Sequence, residues 1–526
     1  MPISSTRARL LFATTLAVLA TVNCGGGGGG DTPAPPVIVP VDGPAWPAFG
    51  RDAQHTAVGA IATQALSSIK WTAPLDLAPQ RTANGSLLIH YGSPVITRHN
   101  IVLMPVKTGA AGGYRVEARI GQTGDLVWSL DSDYRVPSVH RWMPSFNAVL
   151  STNRLVMPMS GGRILIRDDP ESATGATHTI AFYGNGMYQG ANAATLDSTV
   201  FINTPITADS QGNLFFGYSV SGTNPAGLTG GGIVRIAANG TPTFVPAVTA
   251  SGDATTVKTA MNSAPALSIS ESTLYVVVNG ATTSTVSWSP GRLLQLDSTS
   301  LATRANQRLL DPATGANASV SDDGTSSPAV GPDGDVYIGV LESTLGAHNF
   351  RGWLLHFDGA LATRKTPASF GWDLTASIVP ATMLGTAYTG PSTYLLAIKY
   401  NNYLGAGTGD GMNKVAIVDP NVAQADTITP AVQVMREVLT KDGPTAEAGG
   451  GVREWCINTA AVDPLTSSVL ANSEDGYLYR WHLPTNTFTE RIRMNNGVGQ
   501  AYTPTLIAPD GRVYSVNNAT LFSIGL

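Results

Sequence analysis

Two short sequence patterns each recur eight times along this 526-residue chain, and that recurrence limits the fold more than any other feature. The first is a small or polar residue, usually followed by Pro, then an apolar strand and a turn. It reads Ser93-Pro94-Val95-Ile96, Met143-Pro144-Ser145-Phe146, Thr204-Pro205-Ile206-Thr207 and Ala264-Pro265-Ala266-Leu267. It continues as Ser327-Pro328-Ala329-Val330, Val379-Pro380-Ala381-Thr382, Thr459-Ala460-Ala461-Val462 and Thr503-Pro504-Thr505-Leu506. Pro suits the first residue of a strand, where no ladder donor is missed. Turns such as Pro332-Asp333-Gly334 and Pro509-Asp510-Gly511 follow, each before a returning apolar strand. Asp-Gly between apolar runs signals a hairpin, because the turn needs a positive φ.

The second pattern is a third strand, often led by Gly and closed by Asp. Its copies are Val116 to Ile120, Gly162 to Asp168, Gly232 to Ile236, Gly291 to Asp297, Gly352 to Asp358, Lys414 to Asp419, Gly476 to Trp481 and Ala519 to Ile524. Successive anchors lie 44 to 80 residues apart, the period of a four-strand unit. Short strands at such a period make the blades of a β-propeller or the rungs of a solenoid. A ring must close, since an open end bares a sheet edge. The last unit offers three strands up to Leu526, and an unassigned strand around Ser67-Ser68-Ile69-Lys70-Trp71-Thr72 precedes the first anchor. The expected fold is therefore all-β: an eight-bladed β-propeller of four-stranded antiparallel blades, closed by pairing of the N-terminal and C-terminal strands. Seven blades stay open as an alternative if the long unit near 380–459 is irregular.

Composition agrees. Charged residues are 13% of the chain, against about 25% in average soluble proteins, and 57 residues are Gly. A hydrophobic fraction of 43% is ample for a core and argues against wholesale disorder. No interior run approaches the roughly 18 apolar residues of a spanning helix. A net charge of −5 with no basic stripe gives a nucleic-acid partner no electrostatic support.

The N-terminus reads as an export signal. Arg7 and Arg9 precede an apolar run from Leu10 to Val22, too short to be a stable span. Cys24 follows at once, which resembles the lipidated Cys of a bacterial lipoprotein signal. Thr21 and Asn23 depart from that pattern, which favours Leu and a small residue there; the alternative is a conventional secretory signal. Six glycines and then Asp31-Thr32-Pro33-Ala34-Pro35-Pro36 make a flexible, then stiff, tether. The expected organisation is a signal at 1–23, a tether at 24–43 and one propeller domain at 44–526. Removing 1–23 takes out two arginines and no acids, so the net charge moves from −5 to −7. The one other cysteine, Cys456, lies in the apolar string Trp455-Cys456-Ile457 and reads as a small buried hydrophobe.

Two motifs carry a family resemblance. The opening Trp46-Pro47-Ala48-Phe49-Gly50-Arg51-Asp52-Ala53-Gln54-His55-Thr56 resembles the opening motif of the PQQ-like β-propeller superfamily. That group holds quinoprotein alcohol dehydrogenases and the propeller lipoprotein of the outer-membrane β-barrel assembly machine. Ala118 to Trp128, with Thr123-Gly124 between, resembles the family's tryptophan-docking motif, in which the Thr-Gly turn and the Trp lock one blade onto the next. Ile120 stands where the family has an acidic or amide residue. The resemblance covers roughly 44–526, most strongly at the opening motif.

For a quinoprotein dehydrogenase the resemblance implies PQQ and a Ca²⁺ ion, in many members with a vicinal disulfide stacked on the quinone. The propeller holds only Cys456, and no Asp-Asn-Glu set can be assigned to the metal, so neither PQQ nor Ca²⁺ is expected. The eight histidines form no spaced ligand pair, and no Cys pair exists for zinc. Gly449 to Gly451 lacks the Lys-Ser/Thr of a phosphate cradle. No Gly-x-Ser-x-Gly elbow occurs.

Two loops that lead into inner strands are rich in large polar and aromatic groups. One carries Tyr134, His140, Arg141 and Trp142; the other carries Arg453, Glu454 and Trp455. Arg and Trp together are favoured binding anchors. The competing reading makes Arg453–Glu454 an ion pair and the tryptophans packing between blades. The functional expectation is a non-catalytic, monomeric envelope lipoprotein that binds a protein or surface ligand through one propeller face. It meets the membrane through its lipid anchor alone, at the outer membrane on the periplasmic or outer surface. The alternative is a PQQ-dependent dehydrogenase-like or carbohydrate-active propeller enzyme.

Overall fold

The computed structural model describes residues 40–526, apart from 84, 86, 89–90, 111, 138–145, 281–287, 323–325, 456 and 498–501. Eight antiparallel sheets stand in a ring as the blades of a β-propeller. They span 95–132, 149–181, 200–246, 258–308, 329–368, 377–442, 461–493 and 505–525, numbered here as blades 1 to 8. Within each, the chain meanders from an inner strand at the channel to an outer strand at the rim. Third strands such as Trp353–Phe357 are buried along their whole length, since they pack on a blade at each face. The α-helices are short, Ala191–Thr199 and Ala247–Ser251.

The ring closes as the sequence implies. Ser68–Pro74 is the outer strand of blade 8 and pairs antiparallel with Thr520–Gly525, setting Ile69 opposite Ile524 and Thr72 opposite Phe522. Three anchors differ from expectation: Pro205 and Pro265 interrupt inner strands that begin at Val200 and Lys258, and Pro380 is the third; Met143 and Pro144 lie outside the described residues. Pro380 ends its strand, Ser377–Pro380, instead of starting it. The unit is long because its outer hairpin, Lys414–Ala425 with Gln433–Asp442, is bulged between Asp419 and Ala423. Beyond the bulge it reaches blade 5, where the Met435 amide donates to the Pro367 carbonyl at 2.8 Å. Blade 5 needs that cover: in place of a regular fourth strand its outer segment makes the isolated bridges Leu354–Ala368 and Phe357–Arg364. The irregular unit is thus a full blade plus an edge guard.

The opening motif has a structural role that its residues explain. It lies across the ring on the face where inner strands turn into second strands, here the hairpin face. Trp46 pairs with Ile96 of blade 1, and the Pro47 carbonyl accepts from Leu150 of blade 2. The carbonyls of Ala53, Gln54, Thr56 and Ala57 accept from Leu267, Val330, Ile378 and Val462 of blades 4 to 7. The Gln64 amide donates to Gly511 of blade 8. One segment therefore bonds to seven of the eight blades. Asp52 fixes its bend by accepting from the Thr56 amide at 2.9 Å and from the Thr56 hydroxyl.

The docking motif works at the closing seam. The Trp71 indole donates to the Gly121 carbonyl at 2.8 Å, and the Tyr514 hydroxyl donates to the same oxygen at 2.7 Å. Trp128 repeats the device one blade on, donating to Pro170 at 2.8 Å beneath the Arg167 guanidinium. Elsewhere tyrosine and glutamine substitute: Tyr275 and Gln295 both donate to the Gly359 carbonyl.

Candidate functional site

Opposite the hairpin face lies the crossover face, where the chain passes from one blade's outer strand to the next blade's inner strand. Just below it, buried Asn, Ser and Thr residues form a belt from blade to blade. Asn147 accepts from the Ser93 amide at 2.7 Å, Ser327 accepts from Ala264 at 2.9 Å, and Thr375 accepts from Ser327 at 3.0 Å. The belt gives each crossover a rigid base.

Three buried lysines lie at this level, each beside an Asp; Lys107 stands 3.5 Å from Asp76. Lys258 meets Asp322 at 2.7 Å and Asn279 at 2.9 Å. Lys399 meets Asp373 at 2.5 Å. A lone buried ammonium would be costly, and these pairs offset that cost.

Arg453, Glu454 and Trp455 stand together on the crossover from blade 6 to blade 7. Trp455 is fully buried against Tyr479 and Phe488, with ring centroids 5.7 Å away in both cases. Asn401 clamps its backbone, accepting from the Trp455 amide and donating to its carbonyl, both at 3.1 Å. Arg453 pairs with Glu447 at 2.6 Å and keeps 39% of its side chain exposed. Glu454 is half-buried, and its carbonyl accepts from the Glu474 amide at 3.0 Å. Burial foremost, then the nearby Glu474 charge, pushes the Glu454 carboxyl up to about 8. At neutral pH that group is largely protonated and offers a proton as a hydrogen-bond donor.

On the other loop, Tyr134 is buried between Tyr114 and Phe146 and donates to the Ile202 carbonyl at 3.3 Å. His140, Arg141 and Trp142 lie outside the described residues, as do Cys24 and Cys456.

The sequence patterns did not single out the surface beside Arg453. The loop joining second and third strands in blade 5 bonds to its counterpart in blade 6, where Asn349 donates to Asn402 at 2.8 Å. The blade 6 loop bonds in turn to the crossover, where the Val452 amide donates to Gly411 at 2.9 Å. Leu345, Phe350 and Leu404 stand on these interlocked loops with 36%, 40% and 55% of their surface exposed. Leu404 sits in the run Leu404-Gly405-Ala406-Gly407, which reads as plain loop; only the fold bonds its loop to those of Phe350 and Arg453.

Whether the residues suit PQQ and Ca²⁺ depends on the donors present. Among the described residues no three His, Cys, Asp or Glu side chains converge as a metal site would require. The three lysines below the face are already paired with carboxylates. The cofactor's own acid groups would have to compete with those pairs.

Comparison with solved structures places the architecture. The chain is similar to a europium-containing methanol dehydrogenase at 9% identity and a TM-score of 0.55, over 90% of this chain and 89% of that one. It is similar to the quinohemoprotein alcohol dehydrogenase from Comamonas testosteroni at 12% identity and a TM-score of 0.54, over 91% and 80%. BamB from Moraxella catarrhalis aligns at 10% identity and a TM-score of 0.41, over 87% and 98%. At these identities the likeness to the two dehydrogenases is one of fold. No family model matches the chain, and no curated protein does.

Proposed function

We propose that this chain is a non-catalytic binding scaffold of the bacterial envelope, tethered by lipid at Cys24, that holds a protein partner on its crossover face. The observation that carries this reading is that Leu345, Phe350 and Leu404 are exposed on interlocked loops bonded to the crossover that bears Arg453 and Glu454. Large apolar side chains on loops bonded to one another are pre-organised, so little entropy is lost when a partner covers them. An Arg at the margin and a protonated carboxyl add directional contacts.

Photo-crosslinking in cells tests it. A crosslinker at Phe350, Leu404 or Arg453 is expected to give a discrete adduct, while Ile269 and Leu465, exposed on hairpin-face turns, give none. Equal labelling from both faces rejects the reading. Cys24→Ser is expected to release the protein into the soluble fraction; retention in the membrane rejects the tether. The enzyme alternative draws on the dehydrogenase-like fold alone. Dye-linked alcohol oxidation after addition of PQQ and Ca²⁺ would establish it.

A further inference from the structure

A cavity of about 420 Å³ between blades 5 and 6 is bordered by Arg351, but that side chain is closed off from it. Arg351 is 3% exposed, with its guanidinium over the Tyr400 ring at 3.8 Å. A smaller cavity of about 130 Å³ lies in the cleft between blades 2 and 3, on the hairpin face. The charged groups at its mouth are open.

The cleft follows from one position in the repeat. Opposite the residue two before the closing Asp of the third strand, blades 4 and 5 carry Tyr275 and Tyr337. Each hydroxyl reaches the next blade: Tyr275 donates to the Gly359 carbonyl at 2.6 Å, and Tyr337 meets the Tyr394 hydroxyl at 2.5 Å. Blade 2 has Val156 at that position, opposite Ile166. No phenol fills the gap to blade 3, and both side chains line the cavity. With Leu214 and Ile236 of blade 3 they make an apolar inner wall, and half-buried Ile180 stands toward the rim.

Two donor side chains border the mouth. Arg154 is half-buried and His178 is exposed, and neither side chain has a hydrogen bond or ion pair with another described residue. Arg154 reaches across the cleft, since a Cβ on Gly212 of blade 3 would stand 3.5 Å from its Nη2. On the corresponding hairpin of blade 8, Arg512 closes its cleft by donating to the Gly121 and Gln122 carbonyls of blade 1, at 3.1 and 2.7 Å. Arg154 makes no such bond to the blade 3 turn at 237–240, which also lines the cavity. Asp168, opposite Arg154 in the ladder, is exposed and forms no ion pair with it. Solvent screens that carboxylate.

An apolar pocket with a guanidinium and an imidazole at its mouth suits a small molecule with one anionic end. A guanidinium takes both oxygens of a carboxylate. An apolar cavity of roughly 150 Å³ holds benzene, so this one has room for about five or six heavy atoms. Inorganic phosphate would leave the apolar wall uncovered.

We propose that the cleft between blades 2 and 3 binds a short-chain monocarboxylate, its carboxylate on Arg154 and His178 and its alkyl chain against Val156, Ile166 and Ile180. The inference stands apart from the scaffold reading, since the cleft opens on the opposite face and needs no protein partner.

Calorimetric titration of the purified full-length protein with butyrate, acetate, butyramide and inorganic phosphate tests it. Butyrate is expected to bind, with acetate and butyramide roughly tenfold weaker or worse, for want of two methylenes or of the charge. Arg154→Gln is expected to weaken butyrate by about tenfold or more at an unchanged melting temperature, because the guanidinium holds no other group in place. Val156→Tyr is expected to abolish binding, since it puts into the cleft the phenol that blades 4 and 5 carry. The proposal falls if butyrate does not bind, or if Arg154→Gln binds it as the parent does. It falls equally if acetate, butyramide or phosphate binds as tightly as butyrate. Should Val156→Tyr fail to fold, Arg154→Gln decides the question alone.

Discussion

Trp71 and Gly124 lie so close that a Cβ at position 124 would stand 2.8 Å from the indole ring. Trp71 belongs to the strand that closes blade 8, and Gly124 to a turn of blade 1. The contact is therefore the seam of the ring, where chain segments remote in sequence meet. Gly124 also has φ +80°, which side-chain-bearing residues adopt only under strain.

Gly124→Ala combines that strain with a steric clash. It is expected to destabilise the protein by about 2–4 kcal/mol, from the usual costs of a left-handed alanine and of overpacking. Urea unfolding measures it, and an unchanged midpoint would remove the seam from any account of stability.

His55 couples the central segment to blade 5, donating through Nδ1 to the Pro328 carbonyl at 2.7 Å. Burial lowers its pKa from the ordinary 6.5, against the raising effects of that hydrogen bond and of Asp52. The unfolded chain therefore binds a proton at a pH where the folded one does not. Stability is full above about 6.5 and declines as pH falls toward the folded value, by at most about 1.4 kcal/mol per pH unit. Thermal melts between pH 5 and 7 should show a steeper decline for the parent than for His55→Asn. Parallel curves would mean that His55 titrates alike in both states.

Glu454 has the opposite sign. Its folded pKa is raised from 4.5 to about 8, so the protonated form is the one the fold prefers. Its contribution is complete below about 4.5 and is lost as pH rises through that window to 8. Glu454→Gln is expected to gain about 1–2 kcal/mol at pH 8, allowing for solvent screening at this half-buried position, and almost nothing at pH 4.5. A variant equally stabilised at both pH values would trace the gain to something other than proton release.

Deleting 44–75 removes both the segment that bonds to seven blades and the strand that closes the eighth. The expected product aggregates, since two strand edges and a stretch of inner strands lose their partners. Recovery of soluble protein with an unchanged melting temperature would contradict the role given to the segment.

Much of this architecture is legible in the chain alone, because it rests on local signals that repeat. The third strands, led by Gly and closed by Asp, all fall where their pattern put them, from Gly112–Ile120 to Thr520–Gly525. Even the closure follows from a strand without a partner at each end. The register failed at Pro380, where a Pro resembling the other anchors ends its strand; the bulged hairpin beyond it breaks the period on which the pattern depends.

The sites are another matter. Arg453 and Glu454 stand out in sequence as charges beside a Trp, but the raised pKa of Glu454 comes from burial and from Glu474, which the hairpin turn of the next blade brings up. Nothing local marks Arg351, which follows a loop Phe as many arginines do. Tyr400, over which its guanidinium lies, and the acids Asp410, Glu437 and Asp442 of the same pocket come from a different blade, up to 91 positions away. Hydrophobic period and turn chemistry act between near neighbours, so the sequence by itself determined that repeated four-strand blades form a ring and how it closes, while eight blades over seven was decided by the fold of the long unit. Desolvation and charge placement depend on what the ring packs together, and only the tertiary structure decided those.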